Sequence, residues 1–294
     1  MIKKNDIQGY SEKVFLTILM NKYIQRLLLP FGHDLKPDRW IFVIGCYNSA
    51  TTLLSDILRA HPDIGGLPNE GAFLTDVLPY PELYGWPRMW SQCHNKVRMG
   101  VGLKGESRAR RIKQHWSLWF PKAAPNLVEK SISNATRLLF LQEYFQPAYF
   151  IYIVRNGYVV SKGIQKKANY KRWGSSYKNN GYPIELCAEQ WQMSDTVVEK
   201  DSYKLKKILN LTYEELTEKP HDTVLKITEF LGVQPIPEKV FHNKWSVHES
   251  VSSIINMNHI GFSRLSSTDF KKIEETAGDV LKKYGYTRDF NSSL

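Results

Sequence analysis

The sequence predicts an α/β fold, an open parallel β-sheet flanked by helices on both faces, and three observations carry that expectation. Two apolar runs, residues 40–44 (WIFVI) and 149–154 (YFIYIV), lack the alternation of a half-exposed strand and read as strands covered on both faces. Each is followed by apolar residues at helical spacing, so strand and helix alternate along the chain. With 42% hydrophobic and 23% charged residues over 294 positions, the chain can bury one large core, and no Gly/Ser linker or repeat divides it.

Taken in order, residues 1–38 read as an N-terminal amphipathic helical extension to a single domain at 39–294. Val14, Phe15, Ile18, Leu19, Ile24, Leu27 and Leu28 recur among Lys13, Lys22 and Arg26, with Pro30 as the stop. Packing on the domain is the expected use of that apolar face, with peripheral membrane contact through residues 13–29 as the second reading. The first strand then breaks at Gly45, and Thr51, Leu53, Leu54, Ile57 and Leu58 form a helix that His61-Pro62 closes. Between them lies a phosphate-binding loop, which makes the sheet one of P-loop type. A sharp strand-to-helix turn aims free backbone N–H groups and the positive helix end at one point. Asn48, Ser49, Ala50, Thr51 and Thr52 are the expected binding residues. Compared with G-x-x-x-x-G-K-S/T, Ala50 replaces the second Gly and Thr51 the Lys, so the loop suits a donor less charged than a nucleoside triphosphate and needing no metal. An ordinary strand-turn-helix is the alternative for this segment alone.

The next strong strand ends on Arg155, followed by Asn156-Gly157 and a helix carrying Ser161. In open α/β sheets ligands bind outside the carboxyl ends of the strands, so Arg155 is placed to hold a second phosphate through paired hydrogen bonds. Capping of the sheet edge is the competing use.

Further stretches follow in order: Glu129-Lys130 with Ser131 and Asn134; residues 148–155; residues 211–216 (LTYEEL) with Pro220 and Phe230-Leu231-Gly232; and Arg264-Leu265-Ser266 with Tyr284-Gly285-Tyr286. With the loop, they make the chain resemble the sulfotransferases that use 3′-phosphoadenosine 5′-phosphosulfate (PAPS), from about residue 39 to 286. The resemblance implies PAPS as sulfuryl donor, the loop as 5′-phosphosulfate site, Arg155 as 3′-phosphate site with Ser161 nearby, and a loop at 252–267, poor in periodicity, that closes over the nucleotide and brings Arg264 as a second contact. It implies transfer to a hydroxyl or amine by in-line displacement. Glu70 matches the position of the base that takes the acceptor's proton; stabilising a helix N-terminus at Gly71 is its other reading. His94 and His115 are reserve bases.

Two departures matter. Where the family loop carries Pro and then Lys or Arg, this chain has Tyr47 and Asn48, so the cation that assists the departing phosphate is absent. Lys130 is the first expected replacement and Lys104 the second. The family's later serine falls on Gly163, which weakens the case for Ser161. Glu214 and Glu215 are read as organising loops at a strand end that hands over to a helix beginning near Pro220, and residues 222–231 as a plain amphipathic helix.

The formal charge of +11 calls for an acidic partner: nucleic acid, membrane surface or small anion. Clusters at Arg108, Arg110, Arg111 and Lys113, and at Lys166, Lys167, Lys171 and Arg172, interleave with tryptophans, a pattern shared by sugar-ring and nucleic-acid binders, though most such charges are solvated faces. The acceptor pocket is expected from residues 79–119 and 170–182, and a carbohydrate or glycan-like, anionic acceptor is the expectation; nucleic acid is not. Three scattered cysteines, Cys46, Cys93 and Cys187, argue against a disulfide framework or zinc site, and no metal is expected. No apolar run reaches the ~18 residues of a spanning helix and charge interrupts the N-terminus, so a cytoplasmic protein is expected. Two other classes stay open: a P-loop kinase or nucleotide hydrolase with a degenerate loop, which lacks the Lys and a metal-holding Asp, and a non-catalytic polyanion or nucleic-acid binder, which leaves two phosphate loops unexplained.

Overall fold

The computed structural model describes residues 18, 20–247 and 250–288. Five parallel strands form the sheet in the order β2-β3-β1-β4-β5: β1 Arg39–Gly45, β2 Ile64–Gly66, β3 Asn126–Glu129, β4 Ala148–Val154 and β5 Ile208–Thr212. A short antiparallel pair, β6 Trp245–Val247 and β7 Ser250–Ser252, stands apart. The central strand shows why the apolar runs do not alternate. Trp40, Phe42 and Ile44 enter one core while Ile41 and Val43 enter another on the opposite face. The Trp40 ring meets Phe145 edge-on at 5.0 Å, and burying aromatics of this size stabilises the fold by about 1.5–3 kcal/mol each.

Helices cover both faces. On the Ile41 side lie α2 (Thr51–Arg59), α7 (Tyr213–Glu218) and α8 (Pro220–Leu231); on the Trp40 side lie α3 (Gly105–Ser117), α4 (Leu138–Tyr144), α5 (Gly157–Lys167), α6 (Ile184–Ser202) and α10 (Ser267–Lys283). Gly232 ends α8 in the left-handed conformation at φ +64°, which a residue without Cβ adopts freely. Two expectations need correction here. Tyr213 does not end a strand; it opens α7, because Thr212 and Glu215 form a reciprocal capping box that starts the helix at once. Residues 252–267 are not all loop, since α9, Asn258–Phe262, forms within them and lies on α5 where Gly261 leaves no Cβ to strike Val159.

The N-terminal helix, α1 (Lys22–Leu28), is capped by the Asn21 side chain and ends before Pro30. Buried Gln25 donates to the Phe73 carbonyl at 2.7 Å and Arg26 pairs with Asp76 at 3.1 Å, while Tyr23 and Leu27 are 76% and 74% exposed. Val14, Phe15 and Leu19 lie outside the described residues. No helix among the described residues is long and apolar enough to cross a membrane.

Candidate active site

Because the strands are parallel, everything that follows them collects at one edge of the sheet. The loop follows β1, Lys130 follows β3, Arg155 follows β4, and Glu70 lies beyond β2. Within the loop Asn48 and Ala50 take left-handed backbone angles, φ +63° and +66°. The family glycine position thus keeps a glycine's conformation while carrying a Cβ, a strain of about 1 kcal/mol that turns the chain into α2. Ser49 Oγ and Asn48 Nδ2 are buried without a hydrogen-bond partner. Orphaned donors beside the first turn of a helix are what a bound anion would satisfy.

A cavity of about 400 Å³ opens from the loop. Asn48, Ala50, Thr51 and Thr52 line one end, and Arg155, Lys162, Lys166, Lys167 and Arg264 supply five cations with no carboxylate among the lining residues. Arg155 is locked in place: Nη1 donates to the Asn48 carbonyl at 2.9 Å, Nε donates to Asn258 Oδ1 at 2.8 Å, and the guanidinium lies 3.9 Å from the Tyr213 ring centroid. Burial holds its pKa below the usual arginine range. Asn258 in turn donates to Glu214, which also accepts from the Asn156 N–H and the Tyr286 hydroxyl, so Glu214 ties the loop after β4 to the C-terminal segments. Arg264 stands exposed at the rim beyond α9. The Lys167 ammonium is pushed below the ordinary lysine value, first by desolvation and then by Arg88, Arg155, Arg264 and Lys166 around it, the mark of a concentrated positive field.

Glu70 and Lys130 do come together, as a pair. Lys130 Nζ donates to Glu70 Oε1 at 2.9 Å, and Glu70 Oε2 accepts from the Ile132 N–H at 3.4 Å. Their side chains are 20% and 15% exposed, Glu70 and Lys130 respectively, so both are shielded yet reachable. Glu70 precedes the 3-10 turn Gly71–Leu74 without capping it by its side chain. The neighbouring Glu129 is fully buried and occupied by the Gly71 N–H, Ser131 and Asn134, with its pKa raised by burial. It holds the Gly71 N–H, the backbone group directly after Glu70.

Several expected residues are not brought in. Ser161 Oγ donates to the Gly157 carbonyl of its own helix at 2.7 Å and is buried, because its position on α5 points into the core rather than the cavity. His115 is a core residue, with Nδ1 paired to Thr75 Oγ1 at 2.9 Å and Nε2 to the Gln25 carbonyl at 3.1 Å. His94 packs on Trp90 with Arg98, Lys200 and Asp201 as its charged surroundings, and burial lowers its pKa. Lys104 sits exposed beside Gly102, which Tyr144 binds at the far end of α4, toward the amino edge of the sheet. Cys46 is 4% exposed with its thiol pushed up to about 12 by burial, a packing residue.

The sequence reading missed Arg88, Tyr213, Trp245, Asn258 and the cavity roles of Lys162, Lys166 and Lys167. Arg88 Nη1 donates to Asn48 Oδ1 at 3.3 Å, a contact across forty positions of chain that no local pattern signals. Trp245 lines the cavity with its Nε1 buried and unpartnered.

A sequence profile described as the Sulfotransferase family matches residues 40–238. Protein-tyrosine sulfotransferase A of Caenorhabditis elegans is 24% identical over 222 residues, 72% of this chain and 54% of its own length, so the chain spans about half of that relative. A Caenorhabditis briggsae protein named as a protein-tyrosine sulfotransferase is 25% identical over 235 residues, 77% of this chain and 75% of that one. Among solved structures, the sulfotransferase domain from the curacin biosynthetic pathway superposes with a TM-score of 0.51 at 18% identity, over 84% of this chain and 97% of that domain. A sulfotransferase from Mycobacterium tuberculosis superposes with a TM-score of 0.50 at 13% identity, over 92% of this chain and 87% of that one. Both share the fold.

Proposed function

Because the family profile covers more than half of its length, this chain belongs to the sulfotransferase family, and we propose from that premise that it moves a sulfuryl group from PAPS to a hydroxyl acceptor by in-line displacement. The observation that carries the reading is the cavity: a phosphate-type loop with orphaned donors at one end, five cations and no carboxylate along the lining. Ser49, Asn48 and the first-turn N–H groups of α2 would hold the 5′ end of the donor, and Arg155 with Arg264 the 3′-phosphate. Bound PAPS supplies an activated sulfuryl group, whose bond to the 5′-phosphate oxygen breaks as a bond to the acceptor oxygen forms. Glu70 receives the acceptor's proton, and Lys130 orients its carboxylate. The protein-tyrosine names of the two relatives favour a phenolic hydroxyl; a glycan hydroxyl is the competing acceptor.

Adenosine 3′,5′-bisphosphate without magnesium is expected to raise the melting temperature more than ATP with magnesium, since ligand binding stabilises by RT ln(1 + [L]/Kd). A larger shift with MgATP sinks the reading in favour of a degenerate P-loop kinase. Transfer from labelled PAPS to a tyrosine peptide and to an oligosaccharide then decides the acceptor.

A further inference from the structure

We propose that Arg88 is the cation this chain uses in place of the one absent from its loop, meeting the charge that grows on the departing 5′-phosphate; the inference rests on the sulfuryl-transfer reading above. Tyr47 and Asn48 stand where the family loop carries Pro and Lys or Arg, and Arg88 touches both. Its Nη1 donates to Asn48 Oδ1 at 3.3 Å and its guanidinium carbon lies 5.6 Å from the Tyr47 ring centroid.

The backbone is built to hold it there. Arg88 adopts a left-handed conformation at φ +59°, and the described non-glycine residues with positive φ are Asn48, Ala50 and Arg88, all at this one spot. Such strain persists where the surroundings impose it, and here they do. The Glu82 carboxylate accepts the Arg88 N–H at 3.2 Å, and the Tyr182 hydroxyl donates to the preceding Pro87 carbonyl at 3.1 Å. The peptide is pinned from both sides while the guanidinium itself makes no ion pair among the described residues. Lys130, by contrast, is committed to Glu70 at 2.9 Å. The field of Arg88 also reaches Lys167 on the cavity lining.

A cation aimed at a leaving oxygen acts where charge develops, without needing to protonate it, because the phosphate departs as an anion. The test compares two ligands by calorimetry on the folded protein: adenosine 3′,5′-bisphosphate, and adenosine 3′-monophosphate, which lacks the 5′-phosphate. Arg88→Met is expected to weaken the bisphosphate by about tenfold or more while leaving the monophosphate nearly unchanged, as loss of a charge-assisted contact to one phosphate predicts. It should also lower single-turnover sulfuryl transfer by roughly 10²–10³-fold, and Asn48→Lys in the Arg88→Met background should restore part of both. Equal loss on the two ligands, or no loss on either, overturns the assignment, since Arg88 would then only shape the loop. Should Arg88→Met not fold, Arg88→Lys carries the same comparison, with a loss confined to the bisphosphate supporting the proposal and equal losses overturning it. Failure of the unaltered protein to bind the bisphosphate is a separate result and overturns the sulfotransferase reading itself.

Discussion

Ala50 holds a left-handed backbone at φ +66° with no side-chain cap to justify it locally, and its Cβ is the source of the strain. Ala50→Gly is therefore expected to stabilise the protein by about 1 kcal/mol, since glycine adopts this conformation without the Cβ clash. For a chain of this length that is a rise of roughly 2 °C in melting temperature. A fall on calorimetric melting would mean that the methyl packs better than its backbone strains. Lys130 is the second residue whose removal discriminates. Lys130→Ala leaves Glu70, among the described residues, with the Ile132 N–H at 3.4 Å to orient it. Turnover is expected to drop by roughly 10²-fold, the scale of a general base left unpositioned, with bisphosphate affinity altered much less. Single-turnover rates at saturating donor that stay within a few-fold of the unaltered protein would remove Lys130 from the mechanism.

At the scale of elements, the nucleotide end depends on how closely α5 approaches the loop after β1. A Cβ at Gly163 would lie 2.9 Å from Asn48 Cγ and Nδ2, so the absence of a side chain there lets Asn48 take its place beneath Arg88. The family's serine at this position could not coexist with that packing. Gly163→Ser is expected to displace the Asn48 amide, weakening bisphosphate binding several-fold while costing under about 1 kcal/mol of stability, because the group in the way is a rotatable side-chain end. Unchanged or tighter binding by calorimetry would show that Asn48 yields freely. The second element is α9, whose Asn258 accepts from Arg155 and donates to Glu214. That coupling makes the C-terminal segment part of the cation site rather than a cover laid over it.

For the molecule as a whole, Glu82 sets a pH dependence. Burial raises its pKa to about 7 from 4.5, outweighing the Arg88 N–H that it accepts. Between those two values the folded state binds a proton that the unfolded state has lost, so the stability Glu82 contributes is fully present below about pH 4.5 and is lost as pH rises through 7. Glu82→Gln is expected to flatten the fall in melting temperature between about pH 5 and 8; an unaltered slope would assign the dependence to another group. Net charge acts at the same scale. Of the 40 Lys and Arg residues behind the formal +11, five, namely Arg155, Lys162, Lys166, Lys167 and Arg264, face one cavity with no carboxylate among its lining residues, which raises the local positive field there.

Strands β1 and β4 and helices α2 and α8 were legible in the chain because local periodicity and the Gly45 break are short-range signals, and the loop and Arg155 follow directly from where parallel strands end. The order of family-like motifs likewise pointed to one reaction class. Other features were beyond local pattern. That Glu70 and Lys130 form one pair, that His115 and Ser161 satisfy their polar atoms inside the core, and that Arg88 reaches the loop across forty positions are consequences of which side chains the packed elements bring within about 3 Å of one another. A sequence encodes the donors and acceptors that each residue carries, but a hydrogen bond's partner is chosen by the crossing of distant segments, and only the tertiary structure makes that choice.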